Sequence, residues 1–421
     1  MEGNRFKEGM IIKGKDMEGY TLCKILSEDM NMRGFQYKTG MNEDIKPLAR
    51  EGSCKAGLHF CLVQDVCRYL DYGTKLAIVG IPDGEDVYVD AGKLRTHRLK
   101  IREVMPLNEV STWEYLVKNG AEITMDDDHA VRWAAEAGNL GLVMYLHENG
   151  ADITAYDNQA LWTASVSGYL AVVKYLHENG TDIMAGDNEA VRLAACNGYL
   201  EIVKYLHKNG ADITAADNYA VRLAAENGHL EVVKYLHENG ADITAKNNYA
   251  VRMAASGGYL EVVKYLYENG ADITADDNNA VKLAAYSGHL ETVKYLHKNG
   301  ADITACNDQA VKLAADSGHL EVVKYLYENG ADITADNNDA VIFASEAGHL
   351  EIVKYLHKNG ADITANDNRA VRLASRSGRL KVVRYLHGNG ADIAAKNNEA
   401  IRFAEANGHM DVVEYLKANM Q

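Results

Sequence analysis

From Ala121 to Met420 the chain repeats itself every thirty residues, ten times, with no insertion or deletion anywhere in the register. A unit that short cannot enclose a core of its own. It can bury apolar surface only by stacking against its neighbours, so the period itself dictates an array of like elements. Positions within a unit are numbered 1–30, with Ala211 at position 1 and Gly240 at position 30. The segment "STWEYLVKNG" at 111–120 matches the last ten positions, so half a unit precedes the ten full ones.

Each unit reads as two helices. Asp217 and Asn218 stand where N-caps are expected, ahead of a short alanine-rich helix from Ala220 to Ala225. Gly228 breaks it. In "LEVVKYLHEN" the residues Leu230, Val233 and Leu236 fall on one stripe at helical spacing, and Glu231 and Lys234 form an i,i+3 pair in the favourable order. Asn239-Gly240 ends the second helix, with glycine free to take the left-handed conformation.

"AVRLAAENGHLEVVKYLHENGADITA" resembles the ankyrin repeat, whose consensus runs Thr-Pro-Leu-His-x-Ala-Ala, then Gly-His-Leu, then Gly-Ala-Asp. The resemblance covers about 310 of the 421 residues. It departs from the family in two ways. The unit has 30 residues where ankyrin has 33, and x-Ala-Val-Arg, as in "YAVR" at 219–222, replaces Thr-Pro-Leu-His. The missing residues fall between "ADITA" and "AVR", where ankyrins carry a β-hairpin finger. The resemblance therefore implies a mainly α, ankyrin-type helix-pair solenoid with shortened fingers and little or no strand. The 30-residue variant is similar to the ankyrin proteins of mimivirus-like large DNA viruses. It implies a non-enzymatic scaffold that binds a protein partner, in a viral setting a host protein, on the concave face.

Residues 1–107 carry no repeat. "KLAIVGI", "DVYVD" and "HRLKIREV" alternate as strands do, "VQDVCRYLDYG" predicts a helix over 63–72, and "PDG" at 82–84 predicts a turn. The expected division is a small α+β domain over 1–107, capping or accessory, and the solenoid over 108–421. Trp113, Trp133 and Trp162 all lie in the first units, where bulk would fill space against something other than an ordinary repeat. Glu405, Glu414 and Lys417 give the last unit the polar outer face that a terminal repeat needs.

Cys54, His59, Cys61 and Cys67 are spaced C-x4-H-x-C-x5-C, which matches no common zinc pattern, so they read as core thiols and no metal or cofactor is expected. "GLHF", followed nine residues later by Tyr69, is similar to a Gly-x-x-Phe…Tyr element of ADP-ribosyltransferase folds. That resemblance implies an alternative function, an enzyme delivered to its target by the array, with Arg33, His59, Tyr69 and Glu103 as candidates; the family's Glu-x-Glu is absent.

The formal net charge is −16, and it is not spread evenly. Residues 1–107 carry 17 basic and 16 acidic side chains; the rest carry 27 basic and 44 acidic, a net −17. So acidic an array repels phosphate backbones, so nucleic acid is not an expected partner. Neither a membrane span nor a signal peptide is visible, no small-molecule substrate is evident, and six scattered cysteines form no disulfide framework. A reducing setting, cytoplasmic with the nucleus as the alternative, fits best.

The informative positions are those that change. Positions 6, 9 and 16 vary freely, while positions 21, 24 and 28 of the second helix vary much less. Aromatic residues and arginine anchor interfaces best. On the varying positions these are Tyr156, Tyr219, Tyr249, Tyr286, Arg369 and Arg376, the expected partner-binding residues. If positions 9 and 16 share a face, Tyr219, Tyr249 and Tyr286 would make one aromatic patch. The Arg/Lys column at position 12 is expected to pair locally with side chains at positions 2 and 7. The histidines at positions 19 and 27 are expected to serve packing and hydrogen bonding, since copies about 8–10 Å apart cannot share a metal.

Overall fold

The computed structural model describes residues 6–44, 57–90 and 93–420. The chain forms two compact units, one of residues 1–194 with 204–211 and one of residues 195–203 with 212–421.

The first unit opens with a strand-rich region. Its strands are β1 (Ile11–Lys13), β2 (Leu22–Leu26), β3 (Asn31–Met32), β4 (Phe35–Gln36), β5 (Gly40–Glu43), β6 (Leu58–Leu62), β7 (Lys75–Gly80), β8 (Asp86–Asp90), β9 (Lys93–Thr96) and β10 (Arg98–Pro106). Eight of them make one sheet, in the order β1-β8-β9-β6-β2-β7-β10-β5, and β3 and β4 form a separate hairpin. The predicted strands are β7, β8 and β10. The turn at 82–84 closes with Glu85 N–H donating to the Pro82 carbonyl at 2.9 Å. The predicted helix spans Val63–Tyr72 but is a 3₁₀ helix, burying Val63, Val66, Cys67 and Leu70. Leu26, Leu58, Leu99 and Ile101 sit in the core of the sheet.

This region meets the half-repeat and the first full repeat. Trp113 is fully buried and its indole N–H donates to the Leu107 carbonyl at 2.7 Å, with its ring centroid 6.3 Å from that of Trp133. The His129 ring lies 3.0 Å from the Cys67 carbonyl and 3.2 Å from the Asp71 carboxylate. Trp113 and Trp133 thus lie together where the strand-rich region meets the first repeats.

A lone helix, Val110–Lys118, is the half-repeat, and ten helix pairs follow it. No strand interrupts the described residues after Pro106. In the pair Ala215–Glu226 and Leu230–Glu238, the first helix buries Ala220, Val221, Ala224 and Ala225, and the second buries Val232, Val233 and Leu236. Val233 and Leu236 are buried as expected, while Leu230 is only half-buried and Val232 joins the buried stripe. Lys234 pairs with Glu231 at 2.8 Å, and Gly240 ends the helix at φ 98°.

The shortened finger is a left-handed turn. Ala216, Asp217 and Asn218 have φ/ψ of 52/49°, 55/50° and 62/40°, and positions 6–8 adopt the same conformation in all ten repeats. Left-handed backbone costs L-residues roughly 1–2 kcal/mol each, with Asn and Asp among the few that tolerate it. Positions 7 and 8 are always Asp or Asn, which tolerate this backbone, whereas position 6 holds it with residues such as Tyr156 and Lys246. The expectation of N-caps here is corrected: these residues supply handedness, not a cap. The Asn218 side chain reaches the next repeat, its Oδ1 accepting from Asp242 N–H at 2.8 Å, and Asp242 in turn accepts from the Thr244 N–H and hydroxyl.

Position 12 secures the same turn. Arg222 donates from Nε to the Asp217 carbonyl at 3.1 Å and from Nη2 to the Ala216 carbonyl at 3.0 Å, and Arg372 repeats both bonds. The arginines of this column bind backbone carbonyls of positions 6 and 7. Arg252, Lys312 and Arg372 also pair with Asp276, Asp336 and Glu399, so the local ion pairs form with positions 6 and 9 of the next repeat, where positions 2 and 7 were expected. Gly228, at φ 79°, lies under the Tyr259 ring of the next repeat, where a methyl group has no room. Position 19 histidines cover the same glycine elsewhere, as His289 covers Gly258. The position 27 histidines hydrogen-bond the position 25 tyrosine one repeat on, as His237 does with Tyr265 at 2.9 Å. At the C-terminal end, Lys417 pairs with Glu405 at 2.8 Å on the exposed face.

Candidate functional site

Two sites stand out among the described residues, one on the repeats and one in the strand-rich region. On the repeats, the left-handed turn and the start of each first helix hold positions 6 and 9 in a fixed frame. Tyr219 and Tyr249 are half-buried, and the Arg222 guanidinium lies over both rings, 4.9 and 5.3 Å from their centroids. Arg252 approaches the Tyr249 ring at 5.9 Å, and the Tyr249 hydroxyl donates to the Glu226 carboxylate at 3.1 Å. The cation of position 12 therefore serves two purposes, closing the turn and stacking between tyrosines.

The contact from Tyr249 to Glu226 fixes a register in which position 9 meets position 16 of the preceding repeat. By the same register, the position of Tyr286 is matched with Gln309 of the next repeat. Of the three tyrosines expected to form a patch, Tyr219 and Tyr249 share the Arg222 guanidinium. Tyr286 is 48% exposed, and Tyr156, at position 6, is 64% exposed with Arg132 5.2 Å from its ring centroid. Arg369 faces Asp339 at 3.6 Å, and Arg376 pairs with Glu346; both are same-position neighbours one repeat back.

The second site is a cavity of about 350 Å³ lined by β2, the β3–β4 hairpin, β6 and the 3₁₀ helix. Lys24, Arg33, Lys93 and His59 face it together with Phe35, Tyr37 and Tyr69. Lys24 is 8% exposed; its ammonium donates to the His59 carbonyl at 2.7 Å and lies 4.6 Å from the Tyr37 ring centroid. Burial pulls the Lys24 ammonium down to about 8, and Arg33 and Lys93 add to that. Burial, followed by Lys24, Lys93, Arg95 and Arg33, holds His59 down to about 4, so its ring is neutral at pH 7. Its Nε2 has no hydrogen-bond partner among the described residues.

Arg33, His59 and Tyr69, three of the residues named for the enzymatic alternative, thus share one cavity. Glu103 does not line it; it lies exposed on β10. Cys61 and Cys67 are buried, and Cys54 lies outside the described residues. Sequence reasoning missed the convergence of Lys24 and Lys93, because β2 and β9 become neighbours of β6 only through the strand order.

Comparison with known proteins gives three results. A family model described as ankyrin repeats (3 copies) matches in overlapping stretches over residues 105–187, 191–277, 253–337, 281–367 and 313–397. A domain of unknown function, DUF7666, matches residues 20–112. Among curated proteins, R229 of Acanthamoeba polyphaga mimivirus, named for ankyrin repeats, is 34% identical over 135 residues, 29% of this chain and 44% of the relative. R896 of the same virus, also named for ankyrin repeats, is 33% identical over 129 residues, 29% of this chain and 39% of the relative. The uncharacterized mimivirus protein R869 is 27% identical over 127 residues, 28% of this chain and 92% of the relative. The chain spans less than half the length of the two ankyrin relatives.

Proposed function

The chain belongs to the ankyrin repeat family, and on that premise we propose that it binds a protein partner through the surface carrying positions 6, 9 and 16. The repeats indicate a protein-interaction scaffold. The finer reading is that Tyr219 and Tyr249, with Arg222 stacked between them, anchor the partner, and that Tyr156, Tyr286, Arg369 and Arg376 add contacts along the array. The partner meets the concave face, as the family relationship implies. Residues 1–107 cap the array or add a second contact, and the mimivirus relatives point to a host protein in the cytoplasm.

The observation that carries this reading is the tyrosine–arginine–tyrosine stack. Asn279 and Gln309 occupy the same slot in neighbouring repeats with the same backbone, so the slot does not need an aromatic residue to fold. The test compares capture from Acanthamoeba lysate by the wild-type chain and by Tyr219→Ala with Tyr249→Ala. The pair should weaken binding of the captured protein by about 2 kcal/mol or more. It should cost roughly 1 kcal/mol of stability, from the lost cation–π contact and the hydrogen bond to Glu226. Capture unchanged by the double substitution, alongside a large loss of stability, would mean that the stack serves folding alone.

A further inference from the structure

The cavity of the strand-rich region presents a combination of groups that folding does not explain. Lys24 is more than nine-tenths buried, yet no carboxylate lies within ion-pair distance of it among the described residues. A buried cation is ordinarily paired or neutralised, because desolvating a charge is costly. Arg33 and Lys93 line the same cavity and lower the Lys24 ammonium further, so among the described lining residues three cations face two carboxylates, Glu43 and Asp44.

The walls are aromatic. Tyr69 and Tyr72 flank Lys93, whose ammonium is 5.1 Å from each ring centroid, and Phe35 and Tyr37 stack 4.7 Å apart on the other lining segment. Two carboxylates, Glu43 and Asp44, also line the cavity. They would be unfavourable beside a bare phosphate but suit hydroxyl or amino donors. The neutral His59 ring offers one further nitrogen. Cations for a phosphate, rings for a planar base and carboxylates for sugar hydroxyls together describe one ligand class. The volume, about 350 Å³, is at the small end of small-molecule pockets, which run from about 300 to 1,000 Å³, and suits one nucleotide rather than two.

We infer that this cavity binds a nucleoside monophosphate, with Lys24, Arg33 and Lys93 holding the phosphate and the aromatic walls holding the base. The site is independent of the partner surface on the repeats, so either reading can fail without the other.

The test is calorimetric titration of the full chain with AMP, GMP, UMP, adenosine and inorganic phosphate. At least one monophosphate should bind at one per chain, with adenosine and inorganic phosphate each at least about tenfold weaker. Arg33→Ala and Lys93→Ala, at positions that are exposed and half-buried, should each lose at least about tenfold in affinity while the chain still folds with a cooperative melt. Lys24→Met should lose more; if it fails to fold, the other two variants decide. Tyr219→Ala with Tyr249→Ala should leave nucleotide affinity unchanged. The inference is overturned if no monophosphate binds at about 5 mM, if inorganic phosphate binds as tightly as the best nucleotide, or if Arg33→Ala and Lys93→Ala leave affinity intact.

Discussion

Asn248 carries two separable duties, and substitution can read each alone. Its backbone is left-handed, at φ 58° and ψ 38°, and its Oδ1 accepts from the Asp272 N–H of the next repeat at 2.8 Å. Losing a hydrogen bond of this kind costs about 1 kcal/mol net. Holding an alanine in the left-handed region costs roughly 1–2 kcal/mol more than a residue suited to it. Asn248→Ala incurs both and should destabilise by about 2–3 kcal/mol. Asn248→Gly loses the bond but accepts the backbone, and should cost about 1 kcal/mol. Asn248→Asp keeps an acceptor and a tolerant backbone, and should stay within about 1 kcal/mol of the wild type. Urea unfolding followed by circular dichroism gives the order, and hydrogen exchange at the Asp272 amide gives the local term. Repeat arrays lose cooperativity, so the exchange measurement guards against a transition confined to other repeats. The reasoning fails if alanine costs no more than glycine, or if exchange at Asp272 is the same in both variants as in the wild type.

Asp308 occupies the slot that is asparagine in eight of the ten repeats. Burial, with Asp332 and Asp302 adding to it, raises its carboxyl above the ordinary range. Asp308→Asn keeps the acceptor for Asp332 N–H and should stabilise by about 0.5 kcal/mol at pH 7. A raised carboxyl favours the folded state only below its unfolded value of 3.8, so the advantage of asparagine should vanish near pH 3; an advantage that persists there would point to backbone preference instead. Gly228→Ala should cost more than Gly240→Ala by about 1 kcal/mol or more, because both have positive φ but only Gly228 lies under a ring; equal melting midpoints would contradict this. Burial pushes the Cys23 and Cys67 thiols up to about 12 and that of Cys61 up as well. In a Cys54→Ser chain, a thiol reagent at pH 8 should therefore modify exposed Cys306 first and these three only after unfolding. The stability they lend is full below pH 9, their unfolded value, and falls as pH rises toward 12, so urea midpoints should decline over that range and less so in Cys23→Ala.

The repeat length, the two helices, the terminal glycine and the Glu–Lys pairs were legible because each depends on residues within one helix turn. The left-handed turn was not. Asp217 and Asn218 suit an N-cap as well as a left-handed backbone, and choosing between them needs the 24-residue link from Asn218 to Asp242. The candidate tyrosines were legible as varying positions, but their grouping was not. Whether position 9 meets position 16 of its own repeat or of the one before depends on how neighbouring pairs stack. In the strand-rich region, His59 and Tyr69 could be singled out from local sequence, whereas Lys24 joins them only because β2 runs beside β6.

An identical backbone turn in every repeat gives each repeat the same local frame. A partner that read only the common features would find up to ten equivalent frames, a statistical advantage of about 1.4 kcal/mol from a tenfold multiplicity. Such a partner would also slide. The side chains at positions 6, 9 and 16 are where that symmetry is broken, since Tyr219 followed by Tyr249, or Asp339 followed by Arg369, each occurs once. A partner that seats on one of them gives up the statistical gain and acquires an address. Moving the tyrosine pair to another adjacent pair of repeats should therefore move the bound partner by whole repeats, never by a fraction of one.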